Sequence, residues 1–295
     1  MNQNSDTSSG PVLVTGATGD VGGEVVRLLV AAGTAVHALH RRPEQASALA
    51  ELGAEPVLGR LDDEADLRRV MGRVDRLFLL TPLVAQQVDL ERQLIAAAQA
   101  THLQHVVRIS AGDSNVRSPV PWARAHAWGD RRLAATDLDW TSVRPSAFMQ
   151  NLSWQAETIR RGLLPHTAGG GGIGWIDTRD VAAVAARVLL DGPATHRRAT
   201  YFLTGPESLT FADVAGRLTA GLGRRVRAVA LPKPAYVALL RAAGVDAFMA
   251  HGLGAQFADV VRHNFDIDTT SDVERLTGDA PRTMDRWIEE HHELF

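Results

Sequence analysis

The chain has 295 residues, of which 45% are hydrophobic and 22% charged, and its formal net charge is -3. This length can bury one large core or two adjoining ones, and the charge gives no electrostatic reason to expect nucleic acid or an anionic membrane as a partner. The chain has no cysteine, which excludes disulfides, thiolate metal sites and cysteine nucleophiles.

The N-terminal segment and the hydropathy of the chain bear on its location. Residues 1–10 are polar, so we expect a disordered tail there and neither a signal peptide nor an anchor. No apolar stretch approaches the roughly 20 residues that span a bilayer. We therefore expect a cytoplasmic protein that has no membrane partner.

Strand and helix patterns alternate through the first half of the chain. Strands are predicted at 11–16, 35–40, 56–61, 74–80, 105–110 and 139–144, and helices at 20–32, 43–52, 63–71, 85–100 and 122–135. Short apolar runs separated by amphipathic helices predict an α/β fold with a parallel sheet covered by helices on both faces.

The alternation stops after Pro145. The glycine-rich segment Gly169–Gly174 is predicted to be a mobile loop, able to act as a lid, and not a phosphate-binding loop, because no strand precedes it. A helix is predicted at 180–190, short strands at 200–203 and 225–230, and mostly helix from Phe211 onward.

Glycine occupies every third position of the segment 16–22 (Gly-Ala-Thr-Gly-Asp-Val-Gly), between the first strand and the first helix. Gly16 permits a tight turn, Gly19 lets backbone N–H groups approach a pyrophosphate, and Gly22 lets the helix pack closely. The helix N-terminus then offers free donors and a partial positive charge to the phosphates. No Lys-Ser/Thr pair follows, so the pattern predicts dinucleotide binding and excludes a nucleoside-triphosphate loop.

The end of the second strand discriminates between the two nicotinamide cofactors. An acidic residue there would bind the ribose 2′-hydroxyl of NAD, whereas arginine would bind the 2′-phosphate of NADP. His40-Arg41-Arg42 stands at this place, and the first carboxylate is Glu44. The sequence predicts NADPH, held by Arg41 or, as second choice, Arg42; the alternative is a pair of surface arginines.

Six segments and one tryptophan carry a family resemblance: 14–22, 36–43, 139–151 (Asp-Trp-Thr-Ser-Val-Arg-Pro-Ser-Ala-Phe-Met-Gln-Asn), 177–183, 201–206, 276–281 and Trp287. Together they resemble the NmrA-like branch of the atypical short-chain dehydrogenase/reductase superfamily. The likeness extends over 11–295, and its most specific part is Arg144–Asn151. Known members are either reductases of quinones, activated alkenes and similar molecules, or sensors that bind the cofactor and regulate a partner.

The resemblance implies a Rossmann-type doubly wound parallel sheet with a smaller, mostly helical C-terminal substrate domain. We expect the NADP-binding domain at 11–150, with 176–198 returning to it, and the substrate-binding part at 151–175 and 199–295. Carried over by position, the cofactor would contact Gly16, Thr18, Gly19, Asp20, Val21, Gly22, Arg41, Arg42, Leu61, Thr81, Pro82 and Ser110, with Thr81 and Pro82 ending the fourth strand. One departure is Arg60, where members usually carry an acidic residue that helps hold the adenine.

The proton donor of the wider superfamily is absent from this chain. That donor is the tyrosine of a Tyr-x-x-x-Lys pair, but neither Tyr201 nor Tyr236 is followed by lysine four residues later. The corresponding helix carries His126 and Asp130, which share a face and could contact each other. They are predicted to be a general acid and its supporting carboxylate, with Ser110 as a further catalytic candidate; the alternative is a capping or cofactor-positioning pair.

Aromatic and amide residues follow the strand that ends at Arg144, where α/β proteins bind ligands. The predicted substrate pocket contains Phe148, Met149, Asn151, Trp154 and Trp175, with further candidates at Gln150, Phe248, Met249 and Phe257; the alternative for each is core packing. The histidine spacings give no set of metal ligands, so no metal is predicted.

These features predict an NADPH-dependent oxidoreductase that transfers hydride to a small conjugated or aromatic acceptor such as a quinone or enone. Such acceptors are already electrophilic and need little acid catalysis, so positioning can dominate. The alternatives are an NADP(H)-sensing regulator without turnover and, less supported, an epimerase or dehydratase. The expected partner is a small molecule and not nucleic acid, and the expected state is a monomer or homodimer.

Overall fold

The structure is a computed structural model that describes residues 10–262 and 268–295. The predicted tail 1–10 therefore lies outside the described residues, except for Gly10. The strands are β1 (Val12–Val14), β2 (Val36–His40), β3 (Glu55–Leu58), β4 (Arg76–Leu79), β5 (His105–Ile109), β6 (Trp140–Pro145), β7 (Leu163–His166), β8 (Ala199–Leu203) and β9 (Arg227–Ala230).

The α-helices are distributed over the whole described chain. They are α1 (Asp20–Ala31), α2 (Ala46–Glu51), α3 (Glu64–Met71), α4 (Gln87–Gln99), α5 (Pro121–Ala134), α6 (Ala156–Arg160), α7 (Thr178–Asp191), α8 (Pro193–His196), α9 (Phe211–Leu222), α10 (Lys233–Ala242), α11 (Ala247–Ala255), α12 (Asp272–Thr277) and α13 (Met284–Glu290). A π-helical turn, Gln256–Val261, continues α11. None of the helices in the described ranges is both long and apolar enough to cross a membrane.

Seven strands form one sheet in the order β3-β2-β1-β4-β5-β6-β8, and every neighbouring pair is parallel. The chain leaves β1 toward one edge and resumes at β4 toward the other, so the direction of winding reverses between these two strands. A ligand crevice lies at such a reversal, outside the carboxyl ends of the strands. The predicted Rossmann-type parallel sheet is confirmed.

Helices cover both faces of this sheet, which explains why β1, β4 and β5 are fully buried along their length. One face packs on α1 and α7 through residues such as Val25 and Val181. The other packs on α3 and α4 through residues such as Leu67 and Leu94. Helix α7 thus shares a core with α1, while the boundaries of the two predicted domains stay a prediction.

The C-terminal part has its own core, which several helices and the small parallel sheet β7–β9 surround. Its aromatic side chains pack edge to face: Phe211 contacts Trp175 with ring centroids 5.5 Å apart and Phe257 at 5.3 Å. Such aromatic pairs stabilise a core beyond the area they bury. Trp287, in α13, is fully buried in the same core.

Three local predictions are wrong. Residues 43–52 form a 3₁₀ turn followed by α2 instead of one helix. The fourth strand ends at Leu79, so Thr81 and Pro82 follow it. The segment Gly169–Gly174, expected to be a mobile lid, is packed: Ile173 is buried and exchanges two backbone hydrogen bonds with Leu209, at 2.9 and 3.0 Å.

The glycine loop generates a prediction about stability. A Cβ atom on Gly22 would overlap the carbonyl oxygen of Gly16, so Gly22→Ala should lower the free energy of unfolding by about 1–3 kcal/mol. The exposed Gly216 of α9 is the matched control, because a Cβ there meets no atom and alanine should stabilise the helix by about 0.5–1 kcal/mol. Urea denaturation of both variants measures this; equal effects would contradict the close approach at Gly22.

Candidate active site

The glycine loop has the shape that a pyrophosphate requires. Gly16 has φ of +67°, which favours glycine, and turns the chain out of β1. Thr18, Gly19 and Asp20 are exposed, and no side chain caps the N-terminus of α1 at Gly19. The first-turn N–H groups of α1 therefore remain available to an anion.

The two arginines after β2 differ in their surroundings. Both are exposed, but Arg42 pairs with Glu44, the nitrogen-to-oxygen distance being 3.4 Å. Arg41 forms no ion pair or side-chain hydrogen bond with the described residues. The guanidinium of Arg41 thus has no partner among the described residues, and its contact with a 2′-phosphate stays a prediction. Arg60 instead pairs with Asp62 at 2.7 Å.

A cleft of about 300 Å³ begins at the N-terminus of α1 and continues between the large sheet and the C-terminal helices. Four residues predicted to bind the cofactor line it: Asp20, Val21, Thr81 and Ser110. Leu61 and Pro82 do not line it. Gly16, Gly19 and Arg41 do not line it either, and the cofactor contacts predicted for all of these residues stay predictions.

The far end of the cleft is largely apolar. Phe148, Asn151 and Trp154 line it, together with Met249 and Phe257. Residues that the sequence did not single out complete this wall: Trp122, Ile173, Phe202, Leu253, Val260 and Val261.

Two predicted pocket residues lie elsewhere. Met149 and Trp175 are buried in the C-terminal core, 1% and 2% exposed, and are not among the lining residues of the cleft. The indole nitrogen of Trp175 donates a hydrogen bond to the carbonyl oxygen of Leu209 at 3.2 Å. For these two residues the alternative of core packing is the one observed.

A buried ionic network lies beneath the cleft. Arg108 of β5 and Glu91 of α4 have side chains with no exposed surface and pair at 2.8 Å. Arg108 also pairs with Asp130 of α5 at 2.7 Å. Asp130 in turn accepts hydrogen bonds from Ser110 at 2.8 Å and from Arg144 at 2.8 Å, as well as from Ser114 and Ser142.

The protonation of Asp130 follows from these partners. Burial alone would raise its pKa, but the charges of Arg108 and Arg144 and the hydroxyls of Ser110 and Ser142 hold the pKa below its usual range. The Ser110 hydroxyl donates to this carboxylate. The Ser110 hydroxyl proton is thus already used in a hydrogen bond of the network beneath the cleft, so it is not free to be donated to an acceptor.

His126 lines the cleft but is not supported by Asp130 in the predicted way. No hydrogen bond or ion pair joins the two side chains within the described ranges; instead Arg108 donates to Nδ1 of His126 at 3.2 Å. Burial, followed by the charge of Arg108, lowers the pKa of His126 to about 3, although the charge of Asp130 opposes the shift. A neutral imidazole is a weak acid, so the structure contradicts the prediction of an imidazolium proton donor.

Several residues of the site were missed at the level of sequence. Arg108 stands inside the apolar strand His-Val-Val-Arg-Ile, and a charge in a buried strand is itself a signal of a partner. Glu91 carried no such signal, because the sequence of α4 has the pattern of a surface helix. Asp113, three residues after Ser110, follows the carboxyl end of β5 and lines the cleft. Among the described residues no group of His, Asp and Glu side chains is arranged to hold a metal.

Comparison with known proteins agrees with this geometry. A family model described as NAD(P)H-binding matches residues 16–192. The chain is 33% identical over 285 residues to an NAD(P)H azoreductase of Xenophilus azovorans, with 96% of this chain and 99% of the relative aligned. These findings confirm the part of the likeness that concerns an NAD(P)H-binding family.

Two solved structures illustrate the similarity of fold. An NADPH-dependent quinone oxidoreductase of Escherichia coli, solved with NADPH, superposes with a TM-score of 0.85 and 26% identity over 95% of this chain and 99% of that one. NmrA, a negative transcriptional regulator solved with NAD, superposes with a TM-score of 0.77 and 18% identity over 97% and 96%. The second likeness concerns the fold alone.

The environment of His126 generates a prediction about pH. An unfolded histidine titrates near 6.5, whereas folded His126 stays neutral down to about 3. Keeping His126 neutral therefore costs no free energy above pH 6.5. Below pH 6.5 the unfolded chain gains a proton that the folded protein lacks, so the free energy of unfolding falls by about 1.4 kcal/mol per pH unit. His126→Gln should remove that slope. Urea denaturation between pH 7 and 4 measures it; parallel curves for wild type and variant would contradict the neutral state.

Proposed function

The chain belongs to the NAD(P)H-binding family, and we propose that it is an NADPH-dependent oxidoreductase that transfers hydride to small conjugated or aromatic acceptors such as quinones and enones. The observation that carries this proposal is the continuity of the cleft. It begins at Asp20 and Val21, beside the phosphate-binding end of α1, and ends in a wall of Trp122, Phe148 and Trp154. Cofactor and acceptor can therefore meet in one largely apolar space.

Different residues of the chain would hold different parts of the cofactor and of the acceptor. The glycine loop would hold the pyrophosphate on the N-terminus of α1, and Arg41 the 2′-phosphate. The nicotinamide, when bound, supplies a hydride. The network of Arg108, Glu91 and Asp130 fixes the ends of β5 and β6, on which the cleft floor rests. The apolar wall orients a flat acceptor and excludes water.

We also propose an oligomeric state, a location and a class of partner for this protein. We propose a cytoplasmic monomer or homodimer that acts on a small molecule and does not bind nucleic acid. The net charge of -3 supports the last point, and the largely apolar cleft supports a small molecule as the partner. The NmrA-like fold keeps a cofactor-sensing regulator as the alternative outcome of the experiments below.

The cofactor preference is testable at Arg41. Losing a charge-assisted contact with phosphate costs about 1.5–3 kcal/mol, so Arg41→Ala should weaken NADPH binding roughly 10- to 100-fold and leave NADH binding unchanged. Arg187→Ala is the matched control, because Arg187 is exposed on α7 and, within 10–262 and 268–295, pairs with Asp191 alone. Fluorescence titration gives both dissociation constants; an equal loss for NADPH and NADH would contradict the contact.

The reaction itself is testable with purified protein. We expect NADPH oxidation to depend on the added acceptor when quinones, enones, azo compounds and imines are compared, with turnover for at least one conjugated class. NADPH loss without acceptor is the baseline. Tight NADPH binding with no turnover for any class would favour the regulator instead.

A further inference from the structure

The loop that follows β5 is fixed on both sides of one acidic residue. The backbone N–H of Gly112 donates to the carbonyl oxygen of Pro145 at 2.8 Å. A Cβ atom on Gly112 would lie 2.8 Å from the ring of Phe202, so the loop passes close to β6 and β8. The hydroxyl of Ser114 donates to Asp130 at 3.2 Å. Asp113, between these anchors, has little freedom to move.

The side chain of Asp113 lines the cleft and is not neutralised there. Its Oδ2 atom is buried and has no hydrogen-bond partner among the described residues. Neither is it part of an ion pair in the described chain; the other titratable groups that line the cleft are Asp20 and His126. Burying a carboxylate oxygen that has no partner is costly, which favours the protonated form, and a backbone hydrogen bond opposes this effect only in part. Burial raises the pKa of Asp113 to about 6.

The histidine of the cleft, Ser110 and the two tyrosines are excluded as proton donors by their surroundings. His126 is neutral, and Ser110 donates to Asp130. Tyr236 is buried in the C-terminal core, where burial raises its pKa. Tyr201 contacts His196, with its hydroxyl 2.8 Å from Nδ1, and is not among the cleft residues.

We propose that Asp113 is the proton donor that completes reduction in this cleft, an inference that rests on the proposed oxidoreductase function. For a quinone, hydride addition leaves an oxyanion on the acceptor. The O–H bond of the Asp113 carboxyl breaks, and a new O–H bond forms on that oxygen. The acceptor gains two electrons and becomes a hydroquinone, NADPH is oxidised to NADP⁺, and the Asp113 carboxylate is reprotonated from water.

Two acceptor chemistries separate proton donation from other roles. A quinone needs both a hydride and a proton, whereas a triarylmethyl cation becomes a neutral product on accepting hydride alone. Asp113→Asn keeps the size of the side chain but cannot donate a proton. Asp137→Asn is the matched control, because Asp137 is exposed and lies outside the cleft.

We expect Asp113→Asn to lower kcat for the quinone roughly 100-fold or more, while kcat for the cation changes less than about threefold and NADPH affinity is unchanged. Asp113→Glu should recover part of the quinone activity, since it keeps the carboxyl. In the wild type, kcat for the quinone should fall as the pH rises through the pKa of Asp113, because the protonated form is active. This dependence should be absent in Asp113→Asn.

Three outcomes would overturn the proposal, in different ways. An equal loss for both acceptors would make Asp113 a positioning residue, and unchanged quinone turnover would exclude it from the reaction. In both cases the wild type still reduces its acceptor, so the proposed function stands. A wild-type protein that binds NADPH and reduces neither these two acceptors nor any other conjugated class of the panel would overturn the proposed function itself.

Discussion

The ion pair between Arg108 and Glu91 is the constraint on which the active-site region depends. Both side chains are fully buried, and two charges leave water at this depth only if their partners are held in good geometry. Arg108 therefore fixes α4 through Glu91 and α5 through Asp130, and Asp130 ties in the ends of β5 and β6. The backbone of α5 also passes close to this ion pair: a Cβ atom on Gly129 would have no room, because Glu91 and Arg108 occupy that space.

The surroundings of the site also determine which of its side chains carry a proton. Two carboxyl groups lie on adjoining segments and are pushed in opposite directions, since the pKa of Asp130 is lowered by its cationic and hydroxyl partners while that of Asp113 is raised by burial. Such divergence separates a group that stays ionised from one that can carry a proton near neutral pH. Burial and, after it, the charge of the same Arg108 keep His126 neutral. Helix α5, where the sequence predicts the proton donor, is thus part of a network that orders the floor of the cleft.

The sequence predicted what local rules determine and missed what distant pairs determine. The turn at Gly16, the start of α1 and the alternation of strands and helices follow from glycine spacing and short apolar runs, which act over a few residues. Arg108 and Glu91 are 17 positions apart in the sequence, and no local pattern predicts that they pair. Trp175 was misplaced because an aromatic residue after glycines looks the same whether it faces a ligand or a core. The segment Gly169–Gly174 was misjudged for a related reason: glycine permits mobility, but here it permits close packing under Val261.

That packing has a consequence for how the cleft admits an acceptor. A lid made of 169–174 would have to break the two backbone hydrogen bonds between Ile173 and Leu209 and expose a buried isoleucine, which costs several kcal/mol. The exposed apolar residues at the rim are Leu83, 38% exposed, and Trp154, 49% exposed, and both line the cleft. Large apolar side chains left in water at the mouth of an apolar cleft are the contacts that a flat acceptor would bury first. Entry past Leu83 and Trp154 therefore needs no opening of the glycine-rich segment, and the cleft is largely pre-formed for its acceptor.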